Sequence, residues 1–286
     1  MHLLFWILIA VAVILIAIIV GIKLWVKLTT GWCRNDVRLV GKTAIITGAN
    51  TGIGYETAAD FAKRGARVIL ACRNVARGKE AEEKITRATN NRNVIFKQMD
   101  LASFQSIKAF AEDIKKNEER QINIYSNKQK PNCNIISEDG LLLPMQINYF
   151  GHFLLTNLLL DLIKSTPNSR IVNVASIGAK WTREFDVTKL NEFPEHNSQA
   201  DLLVYSWSKL CNILFTIELA DRLKGTSSSI EGAQTTIYCS TEKAIENFSG
   251  EHFEDCRRVA RYPTAQDPEL AKKLWVVSEE LVKLNT

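Results

Sequence analysis

The chain has 286 residues, of which 46% are hydrophobic and 23% charged, and its net charge at pH 7 is +5. This length suits one large α/β domain or two small ones, and we favour one domain because no repeat, low-complexity tract or Pro/Gly-rich linker divides the chain. Basic residues form no stripe with aromatic ones, so we expect no nucleic-acid partner. The cysteines and histidines lack C-x-x-C and H-E-x-x-H spacing, which indicates reduced thiols in a cytosol-facing protein and no metal site.

The amino-terminal residues have the composition of a membrane-spanning helix. Leu3 to Ile22 carry no charge and are almost wholly apolar, and a run of this length crosses a roughly 30 Å hydrocarbon layer. A cleaved signal peptide is the alternative, but its apolar region would be about half as long and would end in a small-residue cleavage site. We therefore predict a membrane anchor at residues 1–30, with its helix at about 3–22. The cations that follow place the rest of the chain in the cytosol, and they are Lys23, Lys27, Arg34 and Arg38.

A strand, a glycine-rich turn and a helix follow the anchor. Thr43 to Thr47 is a short apolar run rich in β-forming residues, apolar residues then recur at helical spacing up to Arg64, and a second buried strand follows at 66–72. Such a βαβ unit places a pyrophosphate on the N-terminus of its helix, so it predicts a dinucleotide site in preference to an ordinary strand-to-helix loop. The predicted cofactor-binding residues of the turn are Gly48, Asn50, Thr51, Gly52, Ile53 and Gly54.

The residue after the second strand bears on the choice of cofactor. NAD sites carry an acidic residue near this point, which bonds the ribose 2′-hydroxyl. Here the chain reads Ala71-Cys72-Arg73-Asn74, with a cation instead. A surface arginine at a strand end is the alternative, but Arg73 suits a 2′-phosphate, and we predict NADP(H) as the cofactor.

Two motifs identify a family. The G-x-x-x-G-x-G spacing of the turn, together with Tyr205-Ser206-Trp207-Ser208-Lys209, resembles the short-chain dehydrogenase/reductase superfamily. The chain is similar in particular to the retinol dehydrogenase branch, over nearly all of its length after the anchor and including the stretch at 151–157. The resemblance implies an α/β fold with a doubly wound parallel sheet of the Rossmann type. This NADP-binding domain would span residues 38–286, behind the N-terminal transmembrane helix.

The resemblance assigns four catalytic positions, two of which, Tyr205 and Lys209, also contact the cofactor. Tyr205 exchanges a proton with the substrate oxygen while a hydride moves between the nicotinamide and the substrate carbon. A phenol has an ordinary pKa of about 10, and Lys209 lies one helical turn further on, where its charge favours the phenolate. Ser176 hydrogen-bonds the substrate oxygen, and Asn148 orders a water beside the lysine.

Three further positions are expected near the cofactor. Asp100 and Leu101 resemble the pair that lies beside the adenine, and Asn127 is the first asparagine of the family's Asn-Asn-Ala-Gly segment. Each polar candidate taken singly has a structural explanation, since Ser176 could cap a strand end, Asn148 a helix and Asp100 a turn. Their order along the chain is what indicates an inherited site.

The family pattern breaks in two places. After Asn127 the family's small residues are replaced by a run that includes Lys128 and Lys130, whose bulk and charge would be costly in a buried crevice. Past the helix that contains Lys209, the chain lacks an apolar strand and the Pro-Gly turn that touches the nicotinamide in relatives. We expect the sixth strand to be missing, so that a gap opens between strand five and the last strand near Phe253, or those two strands pair directly. Either outcome removes a wall of the substrate pocket.

The sequence therefore predicts a cytosol-facing, membrane-anchored, NADP-dependent oxidoreductase. The resemblance implies a retinoid or another lipophilic alcohol, aldehyde or ketone as substrate, a place in retinol metabolism, and the endoplasmic reticulum as the membrane. The two breaks leave a second interpretation open, in which the chain is a catalytically impaired or inactive homologue, or a truncated splice form, that binds nucleotide or a partner without turnover.

Overall fold

The computed structural model describes residues 2–118, 122–125, 135–166, 168–182, 185–194, 199–223, 233–246 and 248–284. The chain begins with a long helix and then alternates strands and helices. The elements up to the fifth strand are α1 His2–Thr29, β1 Thr43–Thr47, α2 Gly52–Lys63, β2 Arg67–Cys72, α3 Val75–Thr89, β3 Val94–Gln98, α4 Phe104–Asn117, β4 Ile122–Tyr125, α5 Leu143–Met145, α6 Gly151–Leu158, α7 Leu160–Lys164 and β5 Arg170–Val172. The elements that follow are α8 Ala200–Arg222, α9 Ala233–Thr241, β6 His252–Glu254, β7 Arg257–Val259 and α10 Pro268–Leu281.

The amino-terminal helix α1 is long and apolar enough to cross a membrane. Its span Phe5–Val26 has no part buried against the rest of the protein. The helix continues to Thr29, beyond the predicted end at Ile22. Helix α8 is also long and apolar enough to cross a membrane. Most of it is buried inside the domain, however, so it is a core helix.

The five strands β1 to β5 form a parallel sheet in the order β3-β2-β1-β4-β5. The central strand β1 pairs with β2 and β4, and all five of its residues are buried. The chain order reverses between β1 and β4, so the carboxyl ends of these strands flank a crevice of the kind in which doubly wound sheets bind ligands. The predicted fold class is confirmed.

Two hydrophobic cores lie on the two faces of the sheet. Ile45 of β1 packs in the core that includes α4, α6, α8 and α10, whereas Ala44 and Ile46 pack with α2, α3 and α9. This division follows from the alternation of side chains along a strand. The sheet is thus covered on both sides.

The chain after β5 departs from the prediction for the last strand. Among the described residues β5 ends the sheet, and α9 packs against it. Phe253 does lie in a strand, but β6 pairs antiparallel with β7 in a separate hairpin. The expected pairing of this strand with strand five is therefore wrong. Asp255 and Cys256, with φ of +54° and +58°, form the two-residue turn that lets β6 pair locally.

The gap expected near Phe253 is filled by packing. Phe253 is 2% exposed and belongs to the same buried cluster as Val172 of β5 and Ile237 of α9. A helix and one aromatic side chain thus cover this flank of β5.

Residues 31–38, which we call the connecting segment, run from α1 onto the surface of the domain. The backbone N–H of Gly31 donates to Asp255 Oδ1 at 3.2 Å. Cys33 Sγ lies 3.6 Å from Thr241 Oγ1, at the end of α9. The domain is therefore held close to the end of α1 rather than joined to it by a free linker.

Candidate active site

The glycine turn lies at the carboxyl end of β1 and leads into α2. Gly48 and Gly52 have φ of +61° and +56°, a conformation that residues with a Cβ rarely adopt. The N–H of Gly48 donates to the carbonyl of Ala71 on β2 at 2.8 Å, which fixes the turn against the sheet. Thr51 and Gly52 are exposed, so the start of α2 is open to an anion at the crevice. The remaining predicted turn residues are half-buried Asn50 and Ile53 and buried Gly54.

Arg73 and Asp100 lie at the ends of β2 and β3, beside the glycine turn. The Arg73 side chain is 57% exposed, and its Nε lies 4.0 Å from Asp100 Oδ2, the outer limit of an ion pair. Asp100 Oδ1 accepts a hydrogen bond from the backbone N–H of Ala102 at 2.9 Å, which orients the carboxylate. The guanidinium is therefore held only weakly, at the carboxyl end of β2.

Asn148 lies in a π-helical turn, Gln146–Phe150, whose five residues are all buried. Such turns are common at functional sites because the extra residue changes the direction of one side chain. Asn148 Nδ2 donates to Ser208 Oγ at 3.2 Å, while its Oδ1 is buried and has no hydrogen-bond donor among the described residues. A buried acceptor of this kind is satisfied by a water or by a ligand hydroxyl.

Tyr205 and Lys209 lie one turn apart in α8. Lys209 is fully buried, and its Nζ donates to the carbonyl of Val174 at 2.9 Å. Asn212 Nδ2 donates to the same carbonyl at 3.2 Å. The ammonium nitrogen lies 5.9 Å from the centroid of the Tyr205 ring. A buried ammonium is costly unless acceptors hold it, so the Val174 carbonyl fixes the lysine beside the half-buried tyrosine.

Ser176 follows β5 and caps a short 3₁₀ helix, Ile177–Trp181. Its Oγ accepts a hydrogen bond from the N–H of Gly178 at 3.3 Å. A Cβ added to Gly178 would lie 3.6 Å from Ser176 Oγ and 3.3 Å from Tyr205 Cε1. Gly178 therefore lies between Ser176 and Tyr205, and the lack of a side chain at this position leaves a space that both residues face.

His152 is a polar residue of the site to which the sequence analysis gave no role. It is buried in α6, and its Nε2 lies 3.0 Å from Oγ1 of Thr47, the last residue of β1. Burial lowers the pKa of His152 to about 3, and the charge of Lys209 acts in the same direction, so the imidazole is neutral. The one feature of the sequence that could have indicated a role for His152 is its position in the stretch at 151–157, which resembles the family.

A cleft of about 230 Å³ opens beside Ser176. Ala175 lies on one side, and His252, Glu254 and Tyr262 lie on the other. His252 Nε2 is 3.1 Å from Glu254 Oε1, and the Tyr262 hydroxyl donates to the same oxygen. Burial acts to raise the pKa of Glu254, but these hydrogen bonds hold it below its ordinary value. No sequence signal pointed to this polar wall, because it follows the second break in the family pattern.

Two further predicted cofactor contacts, Asn127 and Leu101, stay predictions. Asn127 lies outside the described residues, together with Lys128 and Lys130, so its role stays a prediction. Leu101 is described, and its carbonyl oxygen would lie 2.8 Å from a Cβ on Gly151, so it packs tightly against the start of α6.

Comparisons with known proteins agree with this geometry. A family model described as short chain dehydrogenase matches residues 42–186, which include the glycine turn, Asn148 and Ser176. Retinol dehydrogenase 11 of Mus musculus is 38% identical, covering 92% of this chain and 93% of that protein. Retinol dehydrogenase 12 of Homo sapiens is 37% identical over 88% of this chain and 90% of its own length. A solved structure, a putative uncharacterized protein from Mycobacterium Paratuberculosis, superimposes with a TM-score of 0.69 at 28% identity, over 89% of this chain and 98% of that one.

Proposed function

The chain belongs to the short-chain dehydrogenase family of oxidoreductases, and from this premise we propose that it is a membrane-anchored, NADP-dependent enzyme that interconverts a lipophilic alcohol with its aldehyde or ketone. The observation that carries the proposal is the meeting of Ser176, Tyr205, Lys209 and Asn148 beside the crevice that the glycine turn borders. These residues come from β5, α8 and the π-helical turn, so their assembly depends on the fold and not on one motif.

The residues present fit a nicotinamide dinucleotide. The positive-φ turn at Gly48 and Gly52 leaves room for a pyrophosphate, since even a Cβ on Gly52 would meet no atom within 4 Å. When bound, NADP(H) would supply or accept the hydride. Arg73, which stands where NAD sites carry an acidic residue, supports the choice of the 2′-phosphorylated form.

The chain's own residues handle the proton. In the proposed mechanism the Tyr205 hydroxyl gives a proton to the carbonyl oxygen in reduction and takes it back in oxidation. Ser176 Oγ donates a hydrogen bond to the same substrate oxygen, which stabilises the negative charge that develops there. Lys209, held by the Val174 carbonyl, stabilises the deprotonated tyrosine, and Asn148 binds a water that connects the lysine to solvent.

The substrate class rests on the relatives and on the anchor. The relatives at 37–38% identity are retinol dehydrogenases, so we assign this chain a retinoid or a similarly lipophilic carbonyl compound. An apolar substrate dissolves in the bilayer, and α1 would hold the domain at its surface. The cations after α1 favour a cytosolic domain, and we assign the endoplasmic reticulum as the membrane.

The test is an assay of the full chain in membranes with NADPH and all-trans-retinal. We expect turnover that Tyr205→Phe lowers by about 100-fold or more, since a general acid contributes about 10²–10⁴. Tyr238→Phe, which removes the same atom from a half-buried tyrosine of α9, should retain native activity. NADPH binding without turnover in the native chain would refute the enzyme and favour the nucleotide-binding homologue.

A further inference from the structure

A second cleft, of about 320 Å³, opens at the end of the sheet opposite the glycine turn. Lys42 directly precedes β1, and Arg170 is the first residue of β5, so the cleft lies at the amino ends of these strands. Arg38 of the connecting segment and Lys243, just after α9, complete its basic lining. The volume of this cleft is about ten times the roughly 30 Å³ that one molecule occupies in liquid water, so a small polar group fits inside it.

Among the residues that the structure describes, the positive charge that lines this cleft exceeds the negative charge. Arg170 is 8% exposed, and it donates to the carbonyls of Cys239 at 2.7 Å and Glu242 at 3.0 Å and pairs with Glu246 at 3.2 Å. Glu246 is the one carboxylate that lines the cleft in the described part of the chain, and Arg170 already engages it.

Three other cations lie around the ion pair of Arg170 with Glu246. Arg38, Lys42 and Lys243 have no ion pair within the described ranges. Burial lowers the pKa of Lys42, and the nearby charge of Arg170 lowers it further, against a smaller opposite effect of Glu246. An anion in the cleft would therefore stabilise Lys42, which forms no ion pair among the described residues and feels the charge of Glu246 only at a distance.

The cleft lies close to the end of the apolar helix. α1 ends at Thr29, and Cys33 already touches Thr241, which lines the cleft. Four residues span at most about 14 Å. The polar headgroup layer on each side of a bilayer is about 5–8 Å thick. If α1 crosses the membrane, the mouth of the cleft is therefore within reach of the headgroups.

We propose that this cleft binds the phosphate group of an anionic membrane lipid, with Lys42 and Lys243 as the principal contacts and Arg38 at the rim. The proposal rests on the membrane span assigned under the proposed function, but it does not depend on catalysis. The buried Arg170 also lines the site and adds its charge, and its hydrogen bonds to the carbonyls of Cys239 and Glu242 fix its position. The bound lipid would fix the domain against the membrane at a second point besides α1.

The test reconstitutes the full chain in bilayers of phosphatidylcholine that contain a minor fraction of phosphatidic acid, and measures by mass spectrometry which lipids remain bound after purification. We expect the native chain to enrich phosphatidic acid over its bulk fraction. The double variant K42Q/K243Q should lose at least about fivefold of this enrichment, the effect expected for even one lysine at an anionic surface. The control K108Q makes the same type of substitution at an exposed position on α4, outside the lining of the cleft, and should behave as the native chain.

Three measurements separate the possible outcomes. Thermal unfolding checks that the variants are folded, and resistance to alkaline carbonate extraction reports on the anchor. Extraction of the native chain would overturn the proposed span together with the lipid site, whereas retention with enrichment that is equal in K42Q/K243Q would overturn the lipid site alone. Stabilisation of the native chain by inorganic phosphate at constant ionic strength, without cleft-dependent lipid enrichment, would assign the cleft to a soluble phosphate and also refute the proposal.

Discussion

Replacing Gly178 by alanine tests whether the space between Ser176 and Tyr205 sets the rate. The new Cβ would lie 3.3 Å from Tyr205 Cε1 and 3.4 Å from Ser206 Oγ, so a neighbour must shift by a few tenths of an ångström. A misplacement of about 1 Å costs roughly 100-fold in rate. A shift of about a third of that should therefore lower kcat/KM by about 3–10-fold.

Stability should respond much less than rate. The φ of Gly178 is not in the left-handed region, so alanine fits its backbone. A compatible glycine-to-alanine change stabilises by about 0.4–1 kcal/mol, which offsets much of the strain of a tight contact. We expect the free energy of unfolding to change by less than about 1 kcal/mol.

The assay is retinal reduction by the full chain in membranes, with urea unfolding measured in parallel. Gly21→Ala is the matched control, because a Cβ at Gly21 meets no atom within 4 Å. Native kcat/KM in Gly178→Ala would refute the reasoning, and so would an equal loss in Gly21→Ala.

Two further predictions concern the cofactor and the buried imidazole. Arg73→Ser should weaken NADPH binding about tenfold and leave NADH binding unchanged, because a hydrogen bond to a charged group contributes about 1.5–3 kcal/mol and exposure reduces it. Fluorescence titration measures the affinity for each cofactor. The control is Arg87→Ser, at an exposed position in the last turn of α3. Equal losses of NADPH and NADH affinity in Arg73→Ser would contradict the prediction. His152 has a pKa of about 3 in the folded chain and about 6.5 when unfolded. Between these pH values the unfolded chain binds more protons at this residue than the folded chain does. The free energy of unfolding is therefore unaffected by His152 above about pH 6.5, and this residue lowers it by up to about 5 kcal/mol as the pH falls towards 3. His152→Gln should flatten this decline in urea unfolding between pH 7 and pH 4, and parallel curves for the two proteins would rule the explanation out.

The parts of the fold that were predictable are those set by local pattern. The strand at Thr43–Thr47, the glycine turn and α2 follow from periodicity and from the conformations that glycine allows. The β6–β7 hairpin was not predictable, because Asp255 and Cys256 lack the Asn-Gly or Asp-Gly signature of a two-residue turn.

The candidate site divides in the same way. Tyr205 and Lys209 share a helix face by spacing alone, but the carbonyl that holds the lysine belongs to Val174, more than thirty residues earlier. Two side chains face Ser176 across the cleft: Glu254, which lies in β6 of the hairpin, and Tyr262, which follows the hairpin. Contacts of this range depend on tertiary packing, which periodicity does not report.

The brevity of β5 bears on how the domain avoids pairing with the strands of other chains. A strand at a sheet edge offers unpaired N–H and C=O groups to other chains, and this hazard grows with its length and flatness. β5 has three residues, and the guanidinium of Arg170 is drawn beneath α9 to bind the carbonyls of Cys239 and Glu242. A short strand tied to a covering helix is a poor template for strand addition. In the described part of the chain, the β5 edge of the sheet therefore offers little backbone on which aggregation could begin.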